Sequence, residues 1–152
     1  MILAEALIKR ADLQRYLAEL KHRIQANALH QEGETPAEDP QELLALYRQG
    51  NTELEGLIVA INLSNNRIRL ADGTLMVAAL AKREALKNAH AVLMAAAQAA
   101  TPEQQRYSRS EIKMRSALSV KELRQEADRL AQAARELDIQ IQAANWANSL
   151  VE

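Results

Sequence analysis

The sequence predicts an all-α protein: an elongated antiparallel four-helix bundle with coiled-coil-like packing and a long connection before the last helix. Three observations carry this. The chain is 48% hydrophobic but only 3% aromatic, with no Phe. Its apolar content is mostly Ala and Leu, which are strong helix formers. The stretch from Ser119 to about Asn148 carries an apolar seam at Val120, Leu123, Ala127, Leu130, Ala134, Leu137, Ile141 and Ala144, at steps of three and four without a slip. Helix-start signals stand where such seams begin, as in Asp39-Pro40-Gln41-Glu42 and Ser119-Val120-Lys121-Glu122.

The first helix is expected over about 3–28, with Leu13, Leu17, Leu20 and Ile24 on its seam. Continuing that stripe reaches Arg10 and Asn27, so either the stripe rotates at its ends or these polar residues fix register. His30 to Glu38 is a polar loop with Gly33 and Pro36. The second helix, about 40–64, carries Leu43, Tyr47, Gly50, Leu54, Leu57 and Ile61 on one stripe. Gly50 there costs roughly 1 kcal/mol of helix propensity, and close approach of a neighbouring helix would offset it. Asn62, Asn65 and Asn66 crowd the end, as local hydrogen-bonders or as a polar site.

The segment Ile68 to Leu75 alternates around Asp72-Gly73, which suits a very short hairpin or an irregular corner. The third helix, about 75–100, offers two stripes: Ala79, Arg83, Leu86, His90, Leu93 and Ala97, or Leu75, Ala79, Leu86, Ala89, Leu93 and Ala96. The second is more apolar and is preferred, leaving Arg83 and His90 beside the core. The connection of about 18 residues that follows is long enough to suggest a function of its own. The fourth helix, about 119–148, completes a single domain over 1–152. It has a second stripe at Ile139, Ala143, Trp146 and Leu150, whose counterparts upstream, such as Gln132 and Arg135, are polar.

The totals narrow the function. A net charge of -1 gives no bulk attraction to nucleic acid or acidic membranes. The absence of cysteine removes disulfides, thiol nucleophiles and Cys-ligated metals. Glu5 interrupts the first apolar run, and Lys9 and Arg10 follow it rather than precede it, so no signal peptide is expected. No apolar run approaches the length of a membrane span. These features predict a cytoplasmic protein of bacterial type, without a membrane or nucleic-acid partner.

Little in the chain has the pattern of a catalytic site. Glu19 and His22 have the Glu-x-x-His spacing of di-iron bundles, but no second such motif follows, so neither metal nor cofactor is expected. The stretch Arg106 to Arg115 is richer. Arg106, Arg109, Lys113 and Arg115 stand against one acid, Glu111, with hydroxyls at Tyr107, Ser108 and Ser110. Arginine forks beside hydroxyls suit phosphate or another small anion, although pairing with acidic helix faces would equally explain them. The apolar stripe of the fourth helix needs a cover, either this connection or a second subunit. A homo-oligomer, a dimer or a multiple of one, is the expectation, with Ile139, Ala143, Trp146 and Leu150 at its interface.

Four motifs occur together: Leu3-Ala4-Glu5-Ala6-Leu7, Leu70-Ala71-Asp72-Gly73-Thr74-Leu75, Arg106-Tyr107-Ser108-Arg109-Ser110-Glu111-Ile112 and Ile141-Gln142-Ala143-Ala144-Asn145-Trp146. In order and spacing they resemble a family of small bacterial proteins labelled septicolysin-like, which carries a domain-of-unknown-function name. Met76-Val77 departs from that family's more polar start to the third helix. The resemblance implies an uncharacterised helical protein, and the label implies membrane activity. The leading expectation is a non-enzymatic protein that self-associates and binds an anionic partner through the Arg106–Arg115 loop. The alternatives are an enzyme with an inter-subunit site formed by Arg83, His90, the Asn62–Asn66 cluster and the arginine loop, or a membrane-active, cytolysin-like protein.

Overall fold

Leucine at helical spacing dictates the first pairing. In a computed structural model, which describes residues 1–102 and 112–151, α1 (Leu3–Ala26) packs closely against α2 (Pro40–Asn65). Leu17, Leu20 and Leu43 form its buried cluster, with Ile24, Tyr47 and Leu54 packed against it. Each buried leucine contributes on the order of 2 kcal/mol. Gly50 lies in this contact: a Cβ built there would sit 2.9 Å from Leu17 Cδ2. The close approach anticipated at Gly50 is therefore made by α1.

The chain forms two compact units, Met1–Ile68 with Ala144–Glu152, and Arg69–Ala143. In the first, Glu5 closes α1 by accepting from the Ile2 amide at 3.0 Å. Asn27 ends the helix. Its amide nitrogen donates to the Arg23 carbonyl at 2.9 Å, and its Oδ1 accepts from the Glu38 amide at 3.0 Å. The Arg23 guanidinium also holds the Glu38 carboxylate, through Nε at 3.0 Å and through Nη2. Asn27 is thus a polar tie between helix end and loop. Asp39 caps α2, accepting from the Gln41 amide at 2.9 Å, with Pro40 in the first turn.

In the second unit, Arg69 and Leu75 form an isolated antiparallel bridge around Asp72-Gly73. The Leu70 amide donates to the Thr74 carbonyl at 2.8 Å, and Gly73 takes φ of 87°, where an L side chain would be strained. Asp72 Oδ1 accepts from the Thr74 amide at 2.9 Å. That bond holds its carboxyl below the usual range. The corner is a one-bridge hairpin leading into α3 (Met76–Ala99).

On α3 the preferred stripe is corrected. Ala89 is exposed, whereas Ala79 and Ala97 are buried and Arg83, Leu86, His90 and Leu93 are half-buried. The inward face is the stripe that contains Arg83 and His90. The reason lies on α4 (Val120–Ala147): Arg83 Nη1 donates to Asp138 Oδ1 at 2.7 Å, so the inward arginine has an acid to meet. The long seam of α4 is buried at Ala127, Ile141 and Ala144 and half-buried at its other positions. Ser119 Oγ accepts from the Glu122 amide at 3.3 Å, which caps the helix. The protein is all-α, with four long helices among the described residues.

Candidate functional site

Of the anion-binding candidates, Arg106, Tyr107, Ser108, Arg109 and Ser110 lie outside the described residues. Lys113 is described and exposed, as is Arg115. Arg115 lines an open groove of about 350 Å³ with Ala96, Ala100, Pro102, Met114 and Leu118. The groove is mostly apolar with one guanidinium at its wall, a combination that suits an anionic group carrying an apolar portion.

Of the interface candidates, Ile139, Ala143 and Trp146 lie on α4, whereas the helix ends at Ala147, before Leu150. Ile139 is 69% exposed and Trp146 58% exposed. Ala143 is also exposed, and Leu150 is half-buried. Leu150 has a further role that its position in the stripe did not announce. Its amide donates to the Met1 carbonyl at 2.9 Å, while the Leu3 amide donates to the Asn148 carbonyl at 2.9 Å. Ile2 and Ser149 thereby form an antiparallel bridge.

The polar candidates divide between the units. Asn62, Asn65 and Asn66 lie in the first, and Arg83 and His90 in the second. Asn66 Nδ2 donates to the Asn62 carbonyl at 3.0 Å, which is local capping of α2. Between them in sequence, Ser64 is fully buried. Its hydroxyl donates to the Ala60 carbonyl at 2.8 Å and accepts from the Val151 amide at 2.8 Å. Sequence reasoning passed over Ser64. The available signal was its place two turns beyond Leu57 and one turn beyond Ala60, on the inward side of α2.

Arg83 is committed to Asp138, with 21% of the arginine side chain and 46% of the aspartate side chain exposed. The hydrogen bond from Arg83 is the main cause that lowers the Asp138 carboxyl below its ordinary range; partial burial opposes it. Arg83 Nε is buried without a hydrogen-bond partner. Glu19 and His22 are both exposed. Among the described residues no three His, Asp or Glu side chains gather as a metal would require.

A second open cleft, of about 380 Å³, lies in the first unit. Thr52, Gly56, Leu57 and Ala60 of α2 line it together with Met1, Leu150 and Val151. Lys9 Nζ meets Glu53 Oε1 at 2.6 Å at its edge. The chain ends held together at Ile2 and Ser149 thus also help to shape a cleft.

A family of unknown function, DUF6847, matches residues 10–150. The chain belongs to that family. The DUF6847 chain is also similar to a functionally unknown conserved protein from Corynebacterium diphtheriae, known from a crystal structure. The two are 37% identical, and the match covers 99% of each chain with a TM-score of 0.93. No curated protein matches it. Neither description carries the septicolysin-like label, so what is shown is membership of DUF6847. Among the described residues no helix is long and apolar enough to cross a membrane.

Proposed function

We propose that this DUF6847 protein is a non-enzymatic, self-associating helical protein that takes an anionic partner at the connection before α4. One observation carries the self-association. Ile139 and Trp146, two large apolar side chains two turns apart on one face of α4, are more than half exposed. Single exposed apolar residues are ordinary on a protein surface. A Trp aligned with an Ile across Ala143 is instead the composition of an interface anchor. The anionic partner is supported by the cationic excess of Arg106, Arg109, Lys113 and Arg115 and by the position of Arg115 in an apolar groove.

Light scattering on the wild-type chain and on Trp146→Ala tests the first part. The reading expects a defined oligomer for the wild type and a lower mass for the variant, and an equal mass for both contradicts it. Titration with inorganic phosphate tests the second part. Binding should be lost in the combined Arg106→Ala and Arg109→Ala variant and should weaken with salt. We place this function in the cytoplasm. The septicolysin-like resemblance would add membrane activity; absence of dye release from liposomes at neutral and acidic pH removes that addition.

A further inference from the structure

Helix α2 has a second face that the contact with α1 does not use. Ala45, Gln49, Thr52, Gly56, Val59 and Leu63 follow one another at steps of four and three, the spacing of a coiled-coil seam. All six are exposed. None is charged, in a chain of which 26% of residues are charged. Three of them, Thr52, Gly56 and Val59, are poor helix formers in the middle of a 26-residue helix. On a face that met only water, Ala, Lys or Glu would serve the helix better.

The two glycines of α2 sharpen the point. Gly50 is accounted for within the chain, because Leu17 occupies the space where its side chain would be. A Cβ added at Gly56 meets nothing within 4 Å. Yet Gly56 carries the same loss of helix propensity, and with Thr52 and Ala60 it lines an open cleft. A comparison within the protein excludes a trivial reading. On α3, Ala81, Ala85, Asn88, Val92 and Ala95 are also exposed and uncharged, but three of the five are alanine, the best helix former, and none is glycine.

We propose that a second copy of this chain docks along this face, α2 against α2 in parallel register, with Gly56 opposite Gly56. The flanking charges select both the occupant and the direction. Arg48 borders the stripe on one side and Glu53 on the other, five residues apart. In a parallel two-stranded seam, that spacing sets Arg48 of one copy against Glu53 of the other, which also meets Lys9 of its own chain at 2.6 Å, twice by symmetry. In an antiparallel pair, flanking positions meet their own kind, so Arg48 and Glu53 do not meet. The cleft beside Gly56 is then the space into which Val59 of the other copy inserts.

This inference rests on the self-association reading and adds a second face to that of Trp146. The absence of cysteine makes the test direct. Thr52→Cys, Leu63→Cys and, as a control on α3, Val92→Cys are each oxidised and read on non-reducing gels. Light scattering of the wild type runs alongside. The seam expects most of the Thr52→Cys and Leu63→Cys protein to become disulfide-linked dimer, with little from Val92→Cys. Mixing Ala45→Cys with Leu63→Cys should give like-with-like dimers only. Gly56→Glu, at an open position that leaves the monomer intact, should weaken association about tenfold or more by setting carboxylate against carboxylate.

Mixed Ala45→Cys–Leu63→Cys dimers in place of like pairs, or cross-linking from Val92→Cys as strong as the others, overturn the parallel seam. A wild-type oligomer that links at neither Thr52→Cys nor Leu63→Cys overturns the α2 face and leaves self-association standing. A wild-type monomer at tens of micromolar removes both.

Discussion

The two compact units keep their interiors by different means. In the first, Leu3, Leu17, Leu20, Leu43, Leu57, Ile61 and Ile68 are buried, with Ala4, Ala6 and Ala144 beside them. In the second, three of the buried positions are alanines, Ala79, Ala97 and Ala127, with Leu70, Met76 and Ile141. Alanine removes far less apolar area from water than leucine. The stretch with less apolar burial also has the Arg83–Asp138 pair linking α3 to α4. Leucine fixes a pairing by shape and area, whereas alanine permits close approach.

That contrast can be broken by substitution. Leu20 is fully buried in the α1–α2 cluster. Leu20→Ala should cost about 3 kcal/mol in urea unfolding. A cost under about 1 kcal/mol, the range of an ordinary surface change, would show that the cluster carries little. Gly50→Leu forces a side chain into the space held by Leu17 and should cost about 2 kcal/mol through overpacking. Gly56→Ala meets nothing, so in dilute protein it should stabilise by up to about 1 kcal/mol. Equal effects at the two glycines would contradict the account of both.

Ser64→Ala removes the acceptor of the Val151 amide and should cost about 1 kcal/mol. Hydrogen exchange should quicken first at Val151, and an unchanged rate there would remove Ser64 as a clasp. The smallest effect belongs to Asp138→Asn, because nearly half of the Asp138 side chain is in water. It should cost under about 1 kcal/mol. The sign with pH follows from the lowered Asp138 carboxyl. Its contribution is present above the ordinary aspartate value of about 3.9 and is lost as pH falls through the lowered native value. The wild-type advantage over Asp138→Asn should therefore vanish in acid; an advantage that persists there would mean that packing, not charge, is the contribution of the pair.

The same contrast explains what the sequence made legible. Leu13 to Ile24 and Leu43 to Ile61 name their inward faces, because large apolar residues at helical spacing leave one choice. The caps at Asp39 and Ser119 read correctly from residue type alone. On α3, alanine surrounds the helix, so apolar count favoured the stripe with Ala89 over the one with Arg83. Only the position of Asp138 decides between them, and that is a tertiary fact. The pairing of Ile2 with Ser149 and the tie from Val151 to Ser64 join residues far apart in sequence and have no local signal. Of the candidate site, Ile139 and Trp146 are exposed, and Leu150, the last member of their stripe, lies beyond the end of α4. The charge-free face of α2 was equally readable, since it needs only spacing and residue type.

Self-association is the central claim, and the mass of the wild-type chain in solution tests it most directly. Light scattering across a range of concentrations should return a dimer or a multiple of one. The monomer mass, 16.9 kDa, at every concentration would contradict it.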